Sequence, residues 1–158
     1  MKSREIRSKI TDQAKLELSI EEIEVKKPVG SEVLIKMQAS PINPSDIGLL
    51  IASANPTTLK KIRGAYPKVS MDIDKSHLSF FAKRLNKSLA VGNEGAGKVI
   101  DAGKDSKHLI GKIVSVSGGS TFSQYKCTDS FNCIEMKKGI TSKKASSAFI
   151  NPLTALGM

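Results

Sequence analysis

The sequence has no Trp, two Tyr and two His, and aromatic residues make up 4% of its 158 positions. No basic helix with interleaved aromatics appears. The lysines come in ones and twos, as in Lys26-Lys27, Lys60-Lys61, Lys137-Lys138 and Lys143-Lys144. The net charge of +10 is therefore read as a solvated basic surface that draws in an anionic cofactor, with no nucleic-acid partner. Only two cysteines occur, Cys127 and Cys133, and they lie six apart in no metal-like spacing. They read as reduced thiols of a cytoplasmic protein. The longest apolar run, 47–54, is far too short to span a bilayer, so no membrane partner is expected. No apolar signal core follows the charged start, and nothing suggests export.

What is present is organised around Ala90-Val91-Gly92-Asn93-Glu94-Gly95-Ala96-Gly97-Lys98-Val99. Glycine at this density permits positive φ and close approach of another chain segment or a ligand. A phosphate-loop reading fails, because Val99 stands where a metal-binding Ser or Thr is needed and the stretch runs from turn into strand. A chain of this length forms about one domain that buries roughly 70% of its unfolded surface.

Around this stretch, periodicity gives a mainly β chain. Residues 1–12 are charged and aperiodic and read as a mobile tail. Leu16, Leu18 and Ile20 alternate with polar residues; Ile23 and Val25 continue out of phase, which suggests a bulge or turn. Val33, Ile35 and Met37 define a second strand. Asn43 is a good N-cap, Pro44 suits the first helical position, and Asp46 lies near the positive helix end. The segment 57–63 reads as a short helix, 64–67 as a turn, and 74–86 as a helix on the spacing of Leu78, Phe81 and Leu85. The thirty or so residues from 55 to 88 look like an insertion or lid. Strand candidates follow at 96–101, 112–117, 121–128 and 134–136, punctuated by glycines, a pattern that fits a small, partly open β-barrel. Thr141 caps a helical stretch that Pro152 splits in two, and the chain stops mid-helix at Met158, which reads as a cut.

Three motifs come in order: Asn43-Pro44-Ser45-Asp46, Gly92-Asn93-Glu94-Gly95-Ala96-Gly97, and Asn151-Pro152-Leu153-Thr154-Ala155. Together they resemble the medium-chain dehydrogenase/reductase superfamily, in its zinc-lacking quinone-oxidoreductase and enoyl-thioester-reductase branches. The resemblance implies a GroES-like β-barrel as substrate-binding domain over 13–140, with a helical insertion at about 55–88. It implies that 141–158 is a linker towards a Rossmann domain binding NADPH or NADH. No glycine fingerprint of such a domain occurs here, so the chain resembles an N-terminal fragment, inactive alone. The apolar side chains Phe149, Leu153 and Leu156 would then be exposed, which leaves a homo-oligomer open.

The resemblance also implies site residues. Zinc-dependent relatives carry Cys where Asn43 stands and His where Asn93 stands. Carboxamides are poor zinc ligands, so no metal is expected. Asn43 and Asn93 would line the cleft as catalytic hydrogen-bonding amides. Asn43 and Thr154 would meet the nicotinamide cofactor, with Ser45, Asp46 and Glu94 in support. Gly64-Ala65-Tyr66 resembles the Gly-x-Tyr of enoyl-thioester reductases, whose Tyr serves in proton donation or substrate placement. Gly64, however, falls eighteen positions after Asp46, and a surface turn tyrosine is the competing reading. Each of the others has a plain structural role open to it: Asn43 as cap, Asn93 as turn residue, Glu94 as a hydrogen-bond acceptor, and Thr154 bonding back to its own helix. The expected activity is NAD(P)H-dependent reduction of a quinone or activated C=C bond in a small-molecule substrate. Reduction of a 2-enoyl thioester, or a stand-alone non-enzymatic binding module, are the alternatives.

Overall fold

The computed structural model describes residues 1–51 and 53–158. Ten strands and three short α-helices follow one another: β1 (Lys2–Ile10), β2 (Lys15–Glu24), β3 (Glu32–Ala39), α1 (Pro44–Leu50), β4 (Ala54–Ile62), β5 (Lys68–Ile73), β6 (Leu89–Ala90), β7 (Glu94–Ala102), β8 (Ile113–Ser117), β9 (Tyr125–Asp129), β10 (Cys133–Glu135), α2 (Ser142–Ala145) and α3 (Ile150–Leu156). They form two five-stranded antiparallel sheets, ordered β4-β5-β2-β1-β6 and β10-β8-β7-β3-β9. The sheets do not close into a barrel. The segment 122–124 joins them: Ile6 N–H donates to Phe122 O at 2.9 Å, and Gln124 N–H to Arg4 O at 2.9 Å, before the chain crosses to pair with β3.

Two cores hold the sheets. Val33, Ile35, Val99, Val114 and Val116 are wholly buried in the second sheet, with Leu109 and Ala102 beside them. Burying each Val or Ile contributes about 1.5–3 kcal/mol. In the first sheet Ile10, Leu16, Met71 and Ile73 form a smaller core, over which Leu78, Phe81 and Leu85 pack.

Several sequence expectations are corrected. Residues 1–12 are not a tail, because β1 pairs with β2 along its whole length, from Lys2 opposite Glu24 to Ile10 opposite Leu16. Its inward positions are mostly polar, and that hid the alternation. Ser3, Glu5 and Ser8 are buried, and each has a partner. Ser3 Oγ accepts from Tyr125 N–H at 3.1 Å, Ser8 Oγ donates to Leu49 O at 2.7 Å, and Arg7 pairs with Glu5. No bulge breaks β2, whose register with β1 is continuous. The segment 57–63 is strand, not helix. Thr57, Thr58 and Ile62 are β-branched, and β4 forms a hairpin with β5. So the 55–88 insertion is a hairpin followed by a 3₁₀ helix, Lys75–Arg84, rather than helical throughout. Its Asp74 cap accepts from Ser76 N–H at 2.9 Å. Strand β9 starts at Tyr125 rather than 121, since 122–124 bonds to β1.

The C-terminal stretch does divide. Thr141 caps α2, and Pro152 falls in the first turn of α3, where its missing N–H costs no helical bond. Leu153 and Leu156 are exposed, at 56% and 83%, and Phe149 is half-buried. No described helix is long and apolar enough to cross a membrane.

The cysteines are free thiols, and burial pushes Cys133 up to about 11. Ser115 is wholly buried, and its hydroxyl has no partner among the described residues. An unmade buried hydrogen bond is destabilising. Ser115→Ala is therefore expected to raise stability by about 1 kcal/mol, read as a higher urea midpoint at unchanged m-value.

Candidate functional site

The site is built where α1, the 91–93 turn, the start of β7 and α3 meet. Asn43 and Pro44 begin α1, and Asp46 at its third position is wholly buried. One Asp46 oxygen accepts from Asn43 N–H at 2.8 Å, the other from Asn93 N–H at 2.9 Å. A single carboxylate thus clamps the helix start to the glycine turn. Each bond to a buried charged acceptor is worth about 1.5–3 kcal/mol.

Glu94, also wholly buried, performs the second clamp. Its Oε1 accepts from Asn43 Nδ2 at 3.0 Å; its Oε2 accepts from Phe149 N–H at 3.2 Å and Ile150 N–H at 2.8 Å. The first backbone donors of α3 are satisfied in this way. Asn151 Nδ2 completes the junction by donating to Asn43 Oδ1 at 3.4 Å. Both ends of the Asn43 carboxamide are held, so its orientation is fixed, with one N–H left without a partner among the described residues.

Asn93 is half-buried. Its Nδ2 donates to Ser45 Oγ at 2.7 Å, and its Oδ1 has no protein partner among the described residues. The junction therefore offers a buried donor from Asn43 and a more open acceptor from Asn93.

The glycines make this geometry possible. Gly92 has φ of +96°, and a Cβ there would lie 2.7 Å from Phe122 N. A Cβ on Gly95 would meet Met37 Cε at 2.7 Å and Ala39 O at 2.9 Å. Gly95 and Gly97 serve close strand approach, and Gly92 the left-handed turn.

The expected site residues fare differently. Asn43, Ser45, Asp46, Asn93 and Glu94 come together in one network. Thr154 does not join it: its exposed hydroxyl donates to Ile150 O at 2.9 Å within α3. Tyr66 stands on the β4–β5 turn, outside the network. Its hydroxyl donates to Glu22 at 3.1 Å, and the Arg4 guanidinium lies over its ring at 5.0 Å. Glu22 is held below the usual carboxylate range by hydrogen bonds from Lys2 and then from Tyr66.

Three contributors were not on the expected list. Asn151 could have been found from its place before Pro152 in the third motif. Thr121 donates to Glu94 O at 2.7 Å, and Ser40 to Thr121 O at 2.9 Å. Nothing in the sequence distinguishes these two from other hydroxyls.

No cluster of three or more His, Cys, Asp or Glu side chains that could hold a metal ion occurs among the described residues. Asp46 and Glu94 are already engaged by protein donors.

No protein-family model matches the chain. It is 29% identical over 141 residues to the mitochondrial enoyl-[acyl-carrier-protein] reductase of Caenorhabditis elegans, covering 87% of this chain and 33% of that one. In structure it is similar to a Bacillus thuringiensis protein provisionally assigned as an NADPH:quinone reductase. That match has a TM-score of 0.67 and 25% identity, and covers 99% of this chain and 40% of the other. The fold also matches the CurK enoyl reductase, with a TM-score of 0.65 and 18% identity over 97% of this chain and 41% of that one. The chain thus spans about a third to two fifths of the length of these proteins. Its structural neighbours include quinone oxidoreductases, enoyl reductases and a Rhizobium etli protein provisionally assigned as a zinc-dependent alcohol dehydrogenase, and its fold is that of the N-terminal domain of medium-chain dehydrogenase/reductase enzymes.

Proposed function

We propose that this chain is the substrate-side half of a zinc-independent, NAD(P)H-dependent reductase acting on a C=C bond conjugated to a thioester carbonyl. The observation that carries the reading is the fixed Asn43 carboxamide, locked by Glu94 and Asn151 and joined through Asp46 to Asn93. Its spare N–H suits a carbonyl oxygen that gains charge as hydride arrives at the β-carbon. A preorganised donor stabilises such charge without reorganising.

The open Asn93 acceptor is left to receive an N–H of the nicotinamide carboxamide, the group that orients that ring. The nicotinamide supplies the hydride when bound. The chain's own residues hold and orient: Asn43 and Asn93 present their amides, Asp46 and Glu94 fix those amides, and Thr154 lies on the exposed side of α3. Amide donors replace what a Lewis-acid metal would otherwise provide at the carbonyl. A nucleotide-binding half like that of the relatives would supply the remaining cofactor contacts.

The thioester is favoured over a quinone by the C. elegans relative, which matches 87% of the chain and is named for an acyl-carrier substrate. The quinone reading is kept alive by the B. thuringiensis neighbour. The two separate in one assay: NADPH oxidation by the native gene product with crotonyl thioester or 1,4-benzoquinone as acceptor. The expected result is a kcat/KM at least tenfold higher for the thioester. A preference for the quinone would overturn the assignment.

A further inference from the structure

Lys126 stands where an apolar residue would be at home. It lies on β9 opposite the wholly buried Ile35 of β3, and residues directly opposite in an antiparallel pair share a face. Its own exposure is 8%. Among the described residues it forms no ion pair, and Glu5, which lines a cavity with it, is taken by Arg7. Burial lowers its pKa from the ordinary lysine value. A Met of similar length would fill the position with no charge to desolvate.

What the ammonium meets is backbone. Its Nζ donates to Gly119 O at 2.6 Å and to Gly118 O at 3.3 Å. Gly118, Gly119 and Ser120 have φ of +90°, +77° and +54°, three left-handed residues in a row. The last is a serine, for which this conformation is uncommon. The run turns two carbonyls towards one point, and the ammonium occupies it. With no cation there, the two carbonyl dipoles would repel each other with no donor between them.

The loop that carries this cup begins and ends on Glu94. Ser117, just before it, pairs with Glu94 across β8 and β7. Thr121, just after it, donates its hydroxyl to Glu94 O at 2.7 Å. Thr121 N–H also donates to Gly92 O, and Phe122 N–H to Val91 O, each at 3.2 Å. The 91–94 turn thus rests backbone to backbone on 121–122. A Cβ on Gly92 would fall 2.5 Å from Thr121 Oγ1, so there is no slack between the two segments.

We infer that Lys126 is a positioning residue for the candidate site: its ammonium fills the carbonyl cup of the 118–120 loop and thereby fixes Thr121 against Glu94 and the turn that carries Asn93. It touches neither asparagine. It acts through one short run of backbone, and the claim concerns the geometry of the junction whichever acceptor the junction serves.

The test is amide exchange in the 158-residue chain, with the chain lacking the ammonium compared with the parent. Lys126→Met is expected to speed exchange at 92–94 and 118–122 about tenfold more than at Val33, Ile35 and Val114 in the core strands. Lys126→Ala leaves room for a small amine, which can enter by the cavity of about 210 Å³ that Lys126, Ser120, Tyr125 and Cys127 line. Propylammonium, which replaces the missing stem and its charge, is expected to restore slow exchange at 92–94 in that variant. Tetramethylammonium, a cation with no N–H, is expected not to. Thr121→Val severs the next link and leaves the cup filled, so it should speed exchange at 92–94 more than at 118–119. Uniform acceleration in Lys126→Met, unchanged exchange at 92–94 in Thr121→Val, or equal effects of the two ammonium ions would each overturn the inference.

A kinetic arm uses the native gene product with its preferred acceptor. Lys126→Met is expected to lower kcat at least fivefold with KM changed by less than about twofold, as for a group that shapes the transition-state contacts rather than substrate binding. An unchanged kcat would overturn the inference. This arm rests on the reductase reading above. If the parent reduces neither thioester nor quinone, that reading falls, and the exchange data still decide the role of Lys126.

Discussion

Asp46→Ala is expected to destabilise the chain by about 3–4 kcal/mol, a large share of the 5–15 kcal/mol that holds an ordinary domain together. Two backbone donors, Asn43 N–H and Asn93 N–H, lose their acceptor at once. Neither has another partner among the described residues, and Asp46 is wholly buried, so water does not readily replace it. The effect should also be local. Amide exchange at Asn93 should accelerate more than exchange in the β3 core, because the clamp between α1 and the glycine turn opens first. Asp46→Asn separates shape from charge. It keeps the volume but points an NH₂ at one of the two donors, so most of the loss should remain. A destabilisation under 1 kcal/mol for Asp46→Ala, by urea unfolding, would mean that the carboxylate does not join the two motifs.

Gly97→Ala should be of similar size, on the order of 3 kcal/mol, for a steric reason. A Cβ at this position would fall on the Lys36 carbonyl oxygen, far inside van der Waals contact, and 2.8 Å from Ile35 Cγ2. The obstacle is backbone of the paired strand, so no rotamer change relieves it. The β3–β7 register already shifts between Met37 and Ala39 to bring the chains this close. Gly139→Ala is the contrast. Its Cβ would meet nothing within 4 Å, and only its φ of +91° would oppose the change. Thermal unfolding of the two variants should show the larger drop at Gly97.

Much of this architecture could be read from residue pattern, and the failures share one cause. Strands with apolar inward positions were legible: Val33 and Ile35 in β3, and Val114 and Val116 in β8, alternate or cluster as buried strands do. Strand β1 was not legible, because Ser3, Glu5 and Ser8 occupy inward positions and are satisfied by Tyr125, Arg7 and Leu49. Periodicity sees hydrophobicity, not hydrogen-bond partners, whether supplied two residues away, as by Arg7, or more than forty, as by Leu49 and Tyr125. The β4 strand was missed similarly. It is an edge strand with exposed Leu59, Lys60 and Lys61, and only its pairing with β5 fixes its conformation.

At the site, the resemblance of the three motifs placed Asn43, Asp46, Asn93 and Glu94 among the candidates, and the fold brings them within hydrogen-bonding reach of one another. The contribution of Thr121 was invisible, since one hydroxyl in a polar loop looks like any other. Tyr66 shows the converse. Its local motif resembles a functional one, but the inserted hairpin carries it to Glu22 and Arg4.

The central claim is that carboxamides held by buried carboxylates do the work at the substrate carbonyl. Steady-state NADPH oxidation with crotonyl thioester, measured for the native gene product and its Asn43→Ala variant in the presence of a zinc chelator, tests it most directly. The account predicts that chelation leaves kcat unchanged and that Asn43→Ala lowers it at least tenfold in a protein that remains folded. Activity lost to the chelator and restored by zinc, or an Asn43→Ala variant as fast as the parent, would contradict it.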